Sequence, residues 1–145
     1  MTEQLKRGEV WLANLNPAQG FEQAGIRPII IFQNDIVSQF STTTIAIPLT
    51  TNQHRASLPI CMLIRQGDGG LSQDSVALCF QIRVLDKTRL IQRLGLLRTE
   101  TIAQLEDVVL ITWLFWFMCG NEAYTDSFFG KIVVKVLLSQ HFTIP

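Results

Sequence analysis

The sequence predicts a mainly β protein, a small antiparallel barrel or sandwich followed by one helix toward the C-terminal end. Three observations carry that reading. Short runs rich in β-branched and apolar residues recur between Glu9 and Phe80, the composition of pleated, half-buried strands. Polar segments containing Gly and Pro separate these runs, where long helical patterns would instead point to an α/β fold. After Thr99 the apolar spacing changes to three and four, the period of a helix face.

Glu9 to Leu15 (EVWLANL) mixes apolar and polar residues as a strand does, and Asn16-Pro17 ends it with a turn-favouring pair. The segment from Asn16 to Pro28 carries two prolines, two glycines and several polar side chains, which suits a surface loop with residues free for function. Pro28 to Phe32 is a continuous apolar run and reads as a strand buried on both faces. Thr42 to Leu49, Pro59 to Ile64 and Ser75 to Phe80 read as further strands. The clearest turn is Gln66 to Gly70, whose three glycines permit positive φ without steric cost.

The helix has Thr99 or Thr101 as its N-cap and Ile102, Leu105, Val109 and Trp113 as its apolar stripe. Within it, the apolar run from Val108 to Cys119 has twelve residues including Thr112, short of the roughly 20 that span a bilayer. It reads as the core face of the helix, with a partner-docking surface around Trp113 and Trp116 as the alternative. Phe128 to Leu138 reads as an added strand able to cover that helix.

A length of 145 residues fits one domain. Residues 1–119 form the expected barrel and helix, and residues 120–145 an extension packing on the same domain. A hydrophobic fraction of 48% with a mean hydropathy of +0.26 argues against disorder and for an apolar face that needs cover. Twelve basic and twelve acidic residues cancel, so any nucleic-acid site must be a local patch. The three cysteines, Cys61, Cys79 and Cys119, lack metal-ligand spacing and read as buried free thiols in a reducing cytosol. Met1 to Val10 has no apolar segment of a signal peptide, which points to the cytoplasm.

Four segments, KRGEVWLANLNP from Lys6, GFEQAGIRPIIIFQND, TTIAIPLTT and QIRVLDKTRL, together resemble the MazF/PemK family of toxin endoribonucleases, over about Lys6 to Leu114. The resemblance implies an SH3-like antiparallel barrel of the MazF/PemK/CcdB type with a C-terminal helix, here with an atypical C-terminal extension. It also implies a homodimer that acts on single-stranded RNA, uses no cofactor or metal, and is neutralised by a small MazE-like antitoxin. By the family pattern Arg27 and Thr50 are the catalytic pair, Glu22 and Gln23 take the acidic and amide positions of the loop, and Gln81 and Arg83 belong to the later Q-I-R segment. Phe80 departs from that pattern, because some members carry glutamate before the glutamine.

Metal-independent RNA cleavage has the 2′-hydroxyl attack the adjacent phosphorus, so the protein must move a proton and stabilise charge on the phosphoryl oxygens. Arg27 offers a planar fork of donors and Thr50 a hydroxyl, while Glu22 is an easier proton acceptor than arginine. Read without the family, Arg27 is equally a solvated loop residue or an ion-pair partner of Glu22, and Thr50 equally a strand-end cap. Glu22 equally serves to hold Arg27 in place. Gln23, Gln81, Arg83 and His54 are the candidate RNA contacts, with a strand-end hydrogen-bond network as the other reading of Gln81 and Arg83. His54 and His141 show no spacing that pairs them. The competing functions are a non-enzymatic CcdB-like binder of a protein target and an inactive homologue with an altered C-terminus.

Overall fold

The computed structural model of the chain describes residues 4–118, with side chains described as far as Trp113. The extension at 120–145, the strand expected at Phe128 to Leu138, Cys119, His141 and the side chain of Trp116 lie outside what is described. The elements are β1 (Glu9–Asn14), β2 (Ile26–Ile31), α1 (Asp35–Ser38), β3 (Thr43–Thr50), β4 (Cys61–Ile64), β5 (Ser75–Leu78), β6 (Arg83–Asp86), β7 (Leu90–Leu96) and α2 (Thr99–Met118). All strand pairs are antiparallel in the order β4-β5-β3-β2-β1-β7, with β6 also on β3. This is the mainly β, barrel-like architecture with one following helix that the sequence predicts, although β4 and β7 do not pair to close the path.

Strand β3 has three partners in succession. Thr43–Ala46 pairs β6, Ala46–Pro48 pairs β2, and Leu49–Thr50 pairs β5. Pro48 has no N–H to donate to a ladder, and it lies at the break between the β6 and β5 ladders. Ile29, Ile30 and Ile31 of β2 are all fully buried, because both faces of this strand are covered. On one face Ile30 and Ile47 join Val10, Leu49, Leu105 and Val109 in the core beneath α2. On the other, Ile29, Ile31, Ala46 and Leu85 pack with Leu5, Ala13 and Leu15.

Three features depart from the sequence reading. Strands β6 and β7 and the short α1 were not expected. The exposed Val84, Ile91 and Leu96 and interleaved charges blur the two-residue period of both strands. Neither Thr99 nor Thr101 caps α2; both lie inside it, and Asp68 anchors the helix start from the glycine turn. Its carboxylate accepts hydrogen bonds from the Arg98 N–H at 2.9 Å, the Arg98 Nε at 3.3 Å and the Thr101 hydroxyl. This anchor draws Thr101 inward, to 5% exposure, and so sets the rotation of the helix. The buried line runs through Thr101, Leu105, Val108, Val109 and Ile111, so Leu105 and Val109 of the expected stripe are buried, whereas Trp113 is 52% exposed.

The glycine turn behaves as expected and also makes a close approach. Gly70 has φ +74°, and a Cβ there would stand 2.1 Å from the Leu94 carbonyl oxygen. No side chain fits between this turn and β7. Burial opposes ionisation of Asp68, but hydrogen bonds from Thr101 and Arg98 outweigh it and hold its pKa below the usual carboxylate value. A depressed carboxylate contributes stability above its unfolded pKa and loses it as pH falls through the folded one. Asp68→Asn is therefore expected to lower unfolding free energy by about 1–3 kcal/mol at neutral pH. The gap to the unmodified protein should close below about pH 4. Urea titrations at several pH values check this, and a gap independent of pH would show that the charge is not what anchors the helix.

Candidate active site

The segment between β1 and β2 has no ladder of its own, so its backbone groups must find other partners. At its neck, the Leu15 N–H donates to the Gly25 carbonyl at 2.9 Å, and the Gly25 N–H donates to Asn16 Oδ1 at 3.0 Å. Arg89, from the turn before β7, reaches back to donate to the carbonyls of Asn14 and Asn16. At its tip, Gln19 N–H donates to Glu22 Oε2 at 3.1 Å. Gln81 then clamps the far side, its Oε1 accepting from the Gln23 N–H at 2.9 Å and its Nε2 donating to the Phe21 carbonyl at 3.3 Å. The loop is thus held open and shaped, with the Phe21 ring 96% exposed at its crest.

Arg27 is the second residue of β2, and its Nε donates to the Ala24 carbonyl at 2.7 Å. That bond turns the guanidinium back along the loop and leaves its terminal nitrogens available. Thr50 ends β3, is 8% exposed, and accepts the Asn52 N–H on Oγ1 at 3.3 Å, so its hydroxyl proton remains free to donate. The β2–β3 ladder pairs Ile29 with Pro48 and Ile31 with Ala46. The ladder ends at the Ile29–Pro48 pair, so Arg27 and Thr50 each lie two residues beyond the same end of it. Neither residue is near the other in sequence.

Glu22 does not pair with Arg27. Its recorded ionic neighbour is Arg83, Nη1 to Oε2 at 3.9 Å, and that Nη1 is buried without a hydrogen bond. Arg83 arrives from β6, opposite Ala46, so the ionic contact of Glu22 is with Arg83 rather than with the Arg27 it was expected either to hold in place or to assist as a proton acceptor. Gln23 and Gln81 meet directly, while His54 stands apart and exposed in the turn Gln53–Ser57, its N–H held by Asn52 Oδ1 at 3.2 Å. Sequence reasoning missed Arg89 and Asn16 as the clasp of the loop. Asn16 was visible as a turn former, whereas Arg89 lies 73 residues away from Asn16 and carries no local signal. Cys61 and Cys79 are buried, and burial pushes both thiols up, Cys79 to about 12. Thiols so held carry almost no thiolate at neutral pH.

A loop shaped by side chains thus lies beside a guanidinium at the base of one strand, with a hydroxyl at the end of the next, on a barrel-like antiparallel sheet. Residues 6–112 match the family described as PemK-like, MazF-like toxins of type II toxin–antitoxin systems. Endoribonuclease MazF of Staphylococcus saprophyticus is 39% identical over 108 residues, 74% of this chain and 90% of that protein. Among solved structures, MazF of Deinococcus radiodurans superposes with a TM-score of 0.64 at 20% identity, over 74% of this chain and 94% of that one. A mycobacterial endoribonuclease in complex with its cognate antitoxin does so with a TM-score of 0.62 at 21% identity, over 74% and 92%. The chain belongs to the PemK-like, MazF-like toxin family. Its residues beyond 112 fall outside the family match.

Gln81→Leu keeps volume but removes both clamps on the loop. Hydrogen exchange at the Gln23 amide should then speed up about five-fold or more, the worth of roughly 1 kcal/mol. The Ile30 and Ile47 amides in the ladder should not change. Unaltered exchange at Gln23 would mean that the loop is held by its neck only.

Proposed function

We propose that this chain is a toxin endoribonuclease that cleaves single-stranded RNA, acts in the cytoplasm as a homodimer, and is neutralised by a MazE-like antitoxin. Membership of the toxin family supports the activity, and the position of Arg27 and Thr50 just beyond the same end of the β2–β3 ladder supports the site. Among the described residues no helix is long and apolar enough to cross a membrane.

In the reaction proposed, the 2′-oxygen forms a bond to the adjacent phosphorus and the bond to the 5′-oxygen breaks, the departing oxygen taking a proton from water, which leaves a 2′,3′-cyclic phosphate and a 5′-hydroxyl. Negative charge builds on the non-bridging oxygens as the phosphorus becomes five-coordinate. Arg27 answers that charge with its free terminal nitrogens, and Thr50 with its hydroxyl proton, both preorganised by backbone bonds. Glu22 takes the proton from the 2′-hydroxyl, because arginine stays protonated at neutral pH. Gln23, Gln81 and Arg83 shape the loop against the strand, and Arg83 adds a positive charge beside Glu22. His54 borders the end of β3 as an outer RNA contact. The protein as a whole is neutral, yet Arg27, Arg83 and Arg89 all converge on this loop, which supplies the local positive field an RNA phosphate requires.

Purified protein incubated with mixed-sequence single-stranded RNA in EDTA is expected to give discrete products. Arg27→Ala and Thr50→Ala should each slow the reaction by roughly 10²-fold or more, as removal of one preorganised donor does. Arg27→Lys should remain well below the unmodified rate, since an ammonium cannot reproduce the fork. Absence of any cleavage would instead favour a binder of a protein target.

A further inference from the structure

Phe80 stands beside the loop clamp, in the turn that joins β5 to β6. It occupies the middle of the turn Cys79–Gln81, between a fully buried residue and the side chain that holds the loop, and its ring is 38% exposed. Arg55 lies over it, with Cζ 6.0 Å from the ring centroid. A contact stack in the same molecule looks different, since Arg7 sits 4.2 Å above the Phe32 ring.

The wider spacing has a chemical meaning. Successive stacked bases lie about 3.4 Å apart, so a base with a stacking partner on each side needs about 6.8 Å between them. The 6.0 Å from Arg55 Cζ to the ring centroid is nearer that spacing than contact, and guanidinium and phenyl ring are both surfaces on which unpaired bases stack. The place is also right. Asn52 bonds Thr50 and begins the turn that carries Arg55, while Gln81 follows Phe80 and bonds the loop that leads to Arg27.

We propose that Phe80 and Arg55 form a stacking subsite for one unpaired nucleobase of single-stranded RNA, next to the phosphate that is cleaved. This rests on the endoribonuclease reading and adds a specificity element to it. A phenyl ring has no donor or acceptor, so the subsite holds a base without reading its hydrogen-bonding edge. The glutamate that some members of the family carry at this position would offer an acceptor and no stacking face.

The test uses a fluorescent single-stranded oligonucleotide with 2′-deoxy sugars, which lacks the attacking hydroxyl, and measures its Kd by anisotropy. Phe80→Leu is expected to weaken binding roughly 5- to 150-fold, the worth of one base stacked on an aromatic ring, and Phe80→Trp to restore it. Arg55→Gln, outside the strand ladders, should weaken binding as well, with the double variant losing less than the sum of the two. An abasic scan should find one position where removing the base weakens binding by the unmodified protein but not by Phe80→Leu. Equal Kd values for the unmodified protein, Phe80→Leu and Arg55→Gln, or the same abasic profile in both proteins, would overturn the subsite. Cleavage of unmodified RNA in EDTA, run alongside, separates the two ideas. Cleavage with Phe80-independent binding removes the subsite and leaves the enzyme, and Phe80-dependent binding without cleavage does the reverse.

Discussion

Strand β3 divides its eight residues among three antiparallel partners, and the geometry of the site descends from that division. With β2 along one edge, the strand must on its other edge lose β6 where it gains β5. Pro48 stands at that change, where a missing N–H costs no ladder bond. Because β5 and β6 join successive parts of the same strand, the chain between them is a tight turn rather than a long connection. That turn is Cys79–Gln81; it lies at the break between the two ladders, and from it Gln81 reaches the loop before β2.

The loop before β2 is the complementary half of this arrangement. It has polar backbone groups and no strand partner, a condition that normally leaves a segment mobile. Here side chains supply what a ladder would have supplied. Asn16 and Arg89 close the neck, Glu22 holds the tip and Gln81 the far side. Each bond is worth only about 1 kcal/mol, so the loop is defined in shape yet separable from the sheet at modest cost. A site that must admit a flexible RNA strand and then hold its phosphate benefits from both properties.

The fold was legible where burial imposes a pattern. The run Pro28 to Phe32 reads as doubly covered because Ile29, Ile30 and Ile31 face two different cores, and no other environment uses three consecutive isoleucines so well. Strand β7 was not legible, since its residues from Leu90 to Leu96 include Gln92, Arg93 and Gly95 and expose Ile91 and Leu96. The helix start was misread for a different reason. A threonine at a helix start is a local signal, whereas Asp68 reaches it from 30 residues earlier in the chain. The site divides in the same way. Arg27 and Thr50 could be named from the family pattern, but the partnership of Glu22 with Arg83, and the clasp by Arg89, arise from strand register and have no footprint in neighbouring residues.

Neutral net charge shapes how such a protein meets RNA. A strongly basic surface gathers nucleic acid from a distance and holds it without selection, with steep dependence on salt. A neutral one gains little from long-range attraction, so its affinity must come from contacts made at the site. The arginines around the loop can neutralise only a few phosphates, which leaves bases as the remaining source of binding free energy. Exposed aromatic surface beside the phosphate site is the form that source takes in Phe80 and Phe21. On this argument recognition of unpaired RNA is short-ranged, limited to a few nucleotides, and closed to duplexes, whose bases are stacked on each other and cannot be offered to a protein ring.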